Sequence, residues 1–451
     1  LQGSLKHRLQ EHLELARYAL KWLPYALAVA LPVGTACALF LWALERATRL
    51  RFEHPGLLYA LPLAGAAIGA AYQHWGRSVE GGNNLIVDTI HEPGAGVPAR
   101  LTPLILITTV LTHLFGGSAG REGTAVQMGG GVASLVGRRL GLSPQDARVI
   151  VTAGVAAGFG AVFGTPLAGA VFAMEVLAVG GIRYEALVPC LTASLLADWV
   201  CRAWGIHHVA YAVAALSDAD RGWGGLGALL CVKAAAAGAL FGAASLLFSE
   251  LTHGLGAAFK RAVAAPVLRP VLGGALVIGL TFAVGTRDYL GLGVTSPDAG
   301  ATTIVSCFHA GGAGLWSWWW KTLFTALTLG SGFKGGEVTP LFYIGAALGN
   351  VLSRLFSAPA DLFAALGFAA VFAGAANTPL ACTLMGIELF GSGSAVYLAV
   401  ACFSAYLFSG HSGIYLSQRI AILKTGGLPE PGRGSLRQAR APRVPSAEAD
   451  A

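Results

Sequence analysis

Apolar residues fill this chain in long blocks, and the charged residues fall between the blocks instead of alternating with apolar ones. Trp22–Leu44, Arg148–Val179 and Leu362–Leu398 carry almost no charge, which predicts helices surrounded by lipid or by one another. Many other apolar blocks are cut short by Gly and Pro, as at Gly116-Gly117-Ser118-Ala119-Gly120, Gly164-Thr165-Pro166 and Asn377-Thr378-Pro379. A helix needs about 20 residues to cross a bilayer, so these predict broken or re-entrant helices whose irregular backbone lines something polar. Residues 5–21 place Leu5, Leu9, Leu13 and Leu20 at helical spacing with charges between them, and residues 1–22 are expected to form a cytoplasmic amphipathic anchor helix. From Lys424 the chain turns to Gly, Pro, Arg, Ser and Ala, so residues 424–451 are expected to be a disordered basic tail without a regulatory domain.

The pattern repeats. Gly164-Thr-Pro-Leu-Ala-Gly-Ala-Val-Phe-Ala-Met-Glu175 matches Asn377-Thr-Pro-Leu-Ala-Cys-Thr-Leu-Met-Gly-Ile-Glu388 at a spacing of 213 residues. Upstream, Gly120-Arg-Glu-Gly-Thr124 matches Gly335-Gly-Glu-Val-Thr339 at 215, and Gly117 and Gly332 keep the same step. Two separate matches at nearly one spacing define two halves, residues 23–210 and 222–412, meeting near Ser217–Arg221, with residues 413–423 expected to start a last pore-lining helix. In membrane transporters such halves are commonly inverted, and the substrate sits at mid-membrane where broken helices of both halves converge.

Composition strengthens the membrane reading: 55% of residues are hydrophobic, 12% are charged, and mean hydropathy is +0.64, against about 25% charged in soluble domains. The fold class expected is an all-α membrane protein built as an inverted-repeat bundle of tilted and broken helices. A net charge of +7 raises nucleic acid as a partner, but the basic residues form no face with interleaved aromatics. Lys6, Arg8, Arg17 and Lys21 at one end and Lys424, Arg433, Arg437, Arg440 and Arg443 at the other instead fit the positive-inside bias, with both termini cytoplasmic. Seven cysteines, most inside apolar runs, show no metal spacing and are expected to form no disulfides; no cofactor, metal or enzymatic activity is expected. The sequence opens on Leu1 instead of Met, so a trimmed start is expected, and no signal peptide is legible.

The chemistry concentrates in the repeated turns. A helix entered through Gly-rich chain points unpaired N–H groups and a positive dipole end at whatever lies before it, which suits an anion. Both halves supply such a turn, and each carries a glutamate at its third position, Glu122 and Glu337. A carboxylate there competes with an anion for the same amides, and protonation releases it, coupling anion movement to protons. The competing reading is a glutamate held only by the helix dipole. Glu175 and Glu388 close apolar helices and are expected to be interfacial or structural. A third turn, Glu80-Gly-Gly-Asn-Asn-Leu-Ile86, offers Asn83 and Asn84 as anion donors or as helix caps, with capping favoured for Asn84. Tyr415, after Gly410-His-Ser-Gly-Ile, is either a hydroxyl donor to a pore anion or an interfacial aromatic, and His411 reads as solvated or interfacial.

Together and in order, these motifs resemble the CLC family of chloride channels and chloride/proton antiporters. Gly120-Arg-Glu-Gly-Thr is similar to the family's GREGP signature, Gly336-Glu-Val-Thr-Pro to GxFxP, Gly81-Gly-Asn-Asn-Leu-Ile to GSGIP, and Tyr415 to the pore tyrosine, over residues 23–423. The resemblance implies a homodimer with one pore per subunit, Glu122 as the gating glutamate, Tyr415 at the inner gate, and the backbone around Gly123 and Val338 as an anion cradle. Asn83 stands where the family has a chloride-binding serine, and Val176 where its antiporters carry an internal proton glutamate.

That combination resembles the family's fluoride-exporting branch, in which GNNLI, GREGT and GGEVTP motifs occur together. Fluoride is small and strongly hydrated, so its site must offer strong directed donors; Asn83, Thr339 and Tyr415 are those available. Its conjugate acid titrates near the carboxylates, which suits a Glu122/Glu337 relay. The resemblance thus implies export of F⁻ in exchange for H⁺ across a bacterial inner membrane. A chloride channel or chloride/proton antiporter, and a non-transporting membrane scaffold, are the alternatives.

Overall fold

The computed structural model describes residues 2–213 and 225–440, so the expected junction at Ser217–Arg221 lies outside the described residues. The described residues are mostly helical. The first half comprises α1 (Gln2–Glu53), α2 (Leu61–Ala71), α3 (Asn83–His91), α4 (Leu101–Leu114), α5 (Glu122–Arg139), α6 (Pro144–Phe163), α7 (Pro166–Glu175) and α8 (Leu187–Ala203). The second comprises α9 (Gly225–Ala262), α10 (Leu268–Val284), α11 (Ser317–Gly330), α12 (Val338–Phe356), α13 (Ala360–Ala376), α14 (Pro379–Phe390) and α15 (Ala395–Phe408). Among the described residues, five helical stretches are long and apolar enough to cross a membrane, whereas α7 and α14 run for only 10 and 12 residues. The broken helices are therefore present.

Local chemistry sets their ends. Ser143 accepts a hydrogen bond from the Asp146 N–H and Pro144 opens α6. At the other end Gly164 takes a left-handed conformation (φ 71°), and Asn377 does the same (φ 56°) where α13 stops. In both places Thr-Pro follows, so a left-handed residue halts one helix and proline starts the next. The repeated motif is thus a helix-breaking device.

The halves pack by the same geometry. A Cβ on Gly129 of α5 would lie 2.0 Å from the Gly154 carbonyl of α6, and one on Gly345 of α12 would lie 2.0 Å from the Gly367 carbonyl of α13. Only glycine permits these crossings, the expected currency of helix association in lipid. α1 turns Leu23, Leu27, Leu31, Leu39 and Trp42 outward and Trp22, Ala26, Ala30, Val33, Cys37 and Phe40 inward, so one apolar face packs on the bundle and the other is left for lipid.

α5 and α12 start side by side, where Gly120 and Gly336 form an antiparallel bridge, and run to opposite faces. Arg138 near the end of α5 donates to the Val97 carbonyl; α12 ends at Ser357, whose carbonyl accepts from Lys233 at the far end of α9 from Glu250. Lys21–Asp146, Arg419–Glu92 and Arg440–Glu250 pairs gather the early part of α1 and the chain after α15 on the α5-end face. The two described ends of the chain therefore share a face.

Glu175 and Glu388 make the reciprocity explicit. The Glu175 carboxylate accepts the Leu380 and Ala381 N–H groups at 3.1 and 2.8 Å, and Glu388 accepts those of Leu167 and Ala168 at 3.0 and 2.8 Å. Each glutamate satisfies the first turn of its counterpart's helix across the interface between halves. Glu175→Ala should lower thermal stability in detergent, by about 1–3 kcal/mol for each amide left unpaired, whereas Glu175→Gln, which keeps one acceptor, should lose less.

Three boundaries differ from expectation. Residues 1–22 are not a separate helix: α1 continues through Pro24 and Pro32, held where Trp22 and Ala26 bury against the bundle, while Leu13, Leu15 and Leu20 stay exposed. Residues 413–423 do not start a helix. Their amides bond elsewhere, Ile414 to the Ala375 carbonyl and Arg419 to that of Leu177, and β2 (Arg419–Ile420) pairs in parallel with β1 (Ala178–Val179). The described part of the 424–451 tail is ordered: a short helix, α16 (Leu436–Ala439), buries Leu436 against Val179 and Ile420, so one leucine and a set of backbone bonds suffice where composition alone argued for disorder.

Candidate functional site

The Gly116–Gly120 turn and its counterpart at Gly332–Gly336 bring the starts of α5 and α12 into contact. Glu122, the first residue of α5, is 1% exposed, and its Oε2 accepts the Thr339 N–H at 3.0 Å, the Thr339 hydroxyl at 2.5 Å and the Arg121 N–H at 3.1 Å. The Arg121 Nε lies 3.4 Å from Oε1. One half's glutamate thus occupies the helix-start donors of the other half, the place an anion would take.

Arg121 opens outward. With Arg49, His207, His208 and Glu45 it lines a cavity of about 530 Å³ on the face where α1 ends. Arg49 is paired with Glu45 there, and Arg121 with Glu122.

A smaller cavity of about 140 Å³ is lined by Asn83, Glu337 and Tyr415 together with Glu80, Gln127 and Lys334. Among the described residues, three buried polar atoms with no hydrogen-bond partner belong to its walls: Asn83 Oδ1, Glu337 Oε2 and the Tyr415 hydroxyl. Gly123 separates the two regions, since a Cβ there would lie 2.9 Å from Asn83 Nδ2, 3.1 Å from Gly336 Cα and 3.5 Å from Glu337 Oε2. Any side chain at 123 would fill the gap between Asn83 and Glu337. Val338, 1% exposed, opens α12 beside Glu337.

The seven candidate residues therefore converge, but in two tiers: Glu122 with Val338 and Thr339, and Asn83 with Glu337 and Tyr415, joined at Gly123. Asn84 does not cap its helix. Its Oδ1 accepts the Ser417 N–H at 2.9 Å. Lys334, whose Nζ stacks 4.0 Å from the Tyr72 ring centroid, and Gln127 were not legible as site residues; a lysine just before Gly335-Gly336 in an apolar stretch was the one available signal. His411 accepts the Lys424 N–H at 3.0 Å and stands apart from both cavities.

A bundle of broken membrane helices, two of whose starts converge on a buried carboxylate, defines a multi-pass membrane protein of the ion-transport class. Residues 64–410 match the voltage-gated chloride channel family, and the chain belongs to this CLC family. It is 49% identical over 421 residues to the chloride/fluoride channel protein of Pseudomonas syringae pv. tomato, covering 92% of this chain and 90% of that one. Among solved structures it superimposes on a CLC-type fluoride/proton antiporter with a TM-score of 0.83 at 33% identity, over 90% of this chain and 99% of that one. A slow cyanobacterial Cl⁻/H⁺ antiporter shares the fold at TM-score 0.71 and 20% identity, over 86% and 94% of the two chains.

Proposed function

We propose that this chain is a fluoride/proton antiporter that exports F⁻ from the cytoplasm in exchange for H⁺ and so protects the cell from fluoride. The observation that carries the reading is the Glu122 carboxylate bonded to both the N–H and the hydroxyl of Thr339. In this role, deprotonated Glu122 fills the anion site, and protonation withdraws its charge and frees the donors for fluoride. Glu337, with an unpartnered buried oxygen beside Gly123, passes protons on from Glu122 in place of the internal glutamate that Val176 replaces. The Asn83 amide, the Tyr415 hydroxyl and the backbone at Gly123 and Val338 hold the anion during its passage.

Family resemblance further supports a homodimer with one pore per subunit, in a bacterial inner membrane. The shared face of the two described chain ends, rich in Lys and Arg, would then be cytoplasmic.

Liposomes loaded with F⁻ or with Cl⁻ test the substrate. F⁻ efflux well above Cl⁻ efflux is expected, and equal rates of the two would return the chain to the chloride reading. A non-transporting scaffold would release neither. Asn83→Ser should reduce the F⁻/Cl⁻ rate ratio roughly tenfold or more, because a hydrogen bond to a charged group contributes about 1.5–3 kcal/mol. An unchanged ratio in that variant would remove Asn83 from selectivity.

A further inference from the structure

Residues 416–418, directly after Tyr415, are held from two sides. On one side, the Ser417 N–H donates to Asn84 Oδ1 at 2.9 Å and the Ser417 hydroxyl donates to Asp88 Oδ2 at 2.9 Å. Both acceptors belong to α3, the helix that Asn83 opens. On the other side, Arg437 of α16 donates from Nη2 to the Ser417 hydroxyl oxygen at 3.0 Å and from its N–H to the Leu416 carbonyl at 2.9 Å, and the Leu436 N–H donates to the Gln418 carbonyl at 3.0 Å. Ser417 is therefore a single joint between the Asn83 helix, the Tyr415 segment and the chain beyond residue 424.

That chain is itself fastened. Lys424 Nζ donates to the Tyr406 carbonyl at 2.6 Å and the Ser409 hydroxyl at 2.9 Å, Leu436 is fully buried, and Arg440 pairs with Glu250 at 2.6 Å. Asp88 and Arg437 carry opposite charges and meet through the Ser417 hydroxyl, so both bonds to it are charge-assisted. Among the described residues the Tyr415 hydroxyl, by contrast, has no hydrogen-bond partner, while its ring is buried in the core and meets Phe172 edge-on. With no hydrogen bond of its own to fix it, the hydroxyl takes its place relative to Asn83 from the packing of the ring and from the backbone on either side of it.

We infer that residues 424–440 form a strap that sets the distance between Tyr415 and Asn83 across the inner cavity, with Arg437 and Ser417 as positioning residues for transport. This rests on the reading of Asn83 and Tyr415 as the inner anion site. A strap that only covered the protein's surface would contribute stability and leave the anion donors untouched. A strap that positions Tyr415 acts through the tyrosine hydroxyl, and its loss matters only while that hydroxyl is present.

The test measures F⁻ efflux and accompanying H⁺ flux for the full chain in liposomes, for Arg437→Ala, Ser417→Ala and Tyr415→Phe, and for each of the first two combined with Tyr415→Phe. Arg437→Ala and Ser417→Ala should each slow F⁻ efflux roughly fivefold, the scale of coupling between contacting residues, and should add nothing in the Tyr415→Phe background. Ser417→Ala retains the backbone bond to Asn84, so it carries the test if Arg437→Ala fails to fold. Wild-type efflux in both variants, or the same slowing with and without the tyrosine hydroxyl, overturns the strap as a positioning element. If Tyr415→Phe itself transports like the parent while Asn83→Ser keeps its selectivity, the inner-site reading fails first.

Discussion

Glu122→Gln is expected to reduce proton flux to the background of empty liposomes and to slow fluoride efflux as well. Glutamine keeps the shape of the side chain and still accepts from Thr339 through its carbonyl oxygen. It neither binds nor releases a proton at that position, so the occupied state no longer depends on pH. Glu122 is 1% exposed and makes its bonds to the Thr339 N–H and hydroxyl with a single oxygen. Those bonds are charge-assisted in the parent and roughly half as strong to a neutral amide. Fluoride therefore competes with a weaker occupant but one that no proton dislodges. Unchanged F⁻-coupled proton transport in this variant would remove Glu122 from the mechanism.

Glu337→Gln separates the two carboxylates. Glu337 Oε2 is buried and unpartnered beside the Asn83 amide, a costly placement that structural packing alone does not explain. The substitution preserves volume and abolishes titration, so the number of protons moved per fluoride should fall towards zero while fluoride continues to pass. Parallel pH-electrode and fluoride-electrode traces on one liposome preparation give that ratio directly. A parental ratio would mean that protons reach Glu122 by another route.

Much of this arrangement was legible because its chemistry is compact in sequence. Gly120–Thr124 and Gly335–Thr339 each pack a turn, a helix start and a carboxylate into five residues, and the repeat revealed that there were two of them. Gly164-Thr-Pro and Asn377-Thr-Pro announced the helix breaks because left-handed backbone and proline act locally. What stayed hidden depends on partners far along the chain. Asn84 looked like a cap, since nothing in its neighbourhood points to Ser417, 333 residues away. Glu175 and Glu388 gave no sign that each serves the other half's helix. The order of residues 424–440 rests on Leu436 and on bonds to residues 416–420, which low hydrophobicity masks.

The 49% identical relative is named a chloride/fluoride channel protein and the superimposable structure a CLC-type fluoride/proton antiporter, and proton coupling is what separates a channel from an antiporter. The decisive measurement is proton movement in sealed liposomes given an outward F⁻ gradient, no pH gradient, and a membrane potential clamped with potassium and valinomycin. F⁻ efflux is expected to drive protons inward and acidify the lumen against equilibrium, and an equal Cl⁻ gradient to drive far fewer. Fluoride efflux with no change in luminal pH would contradict antiport.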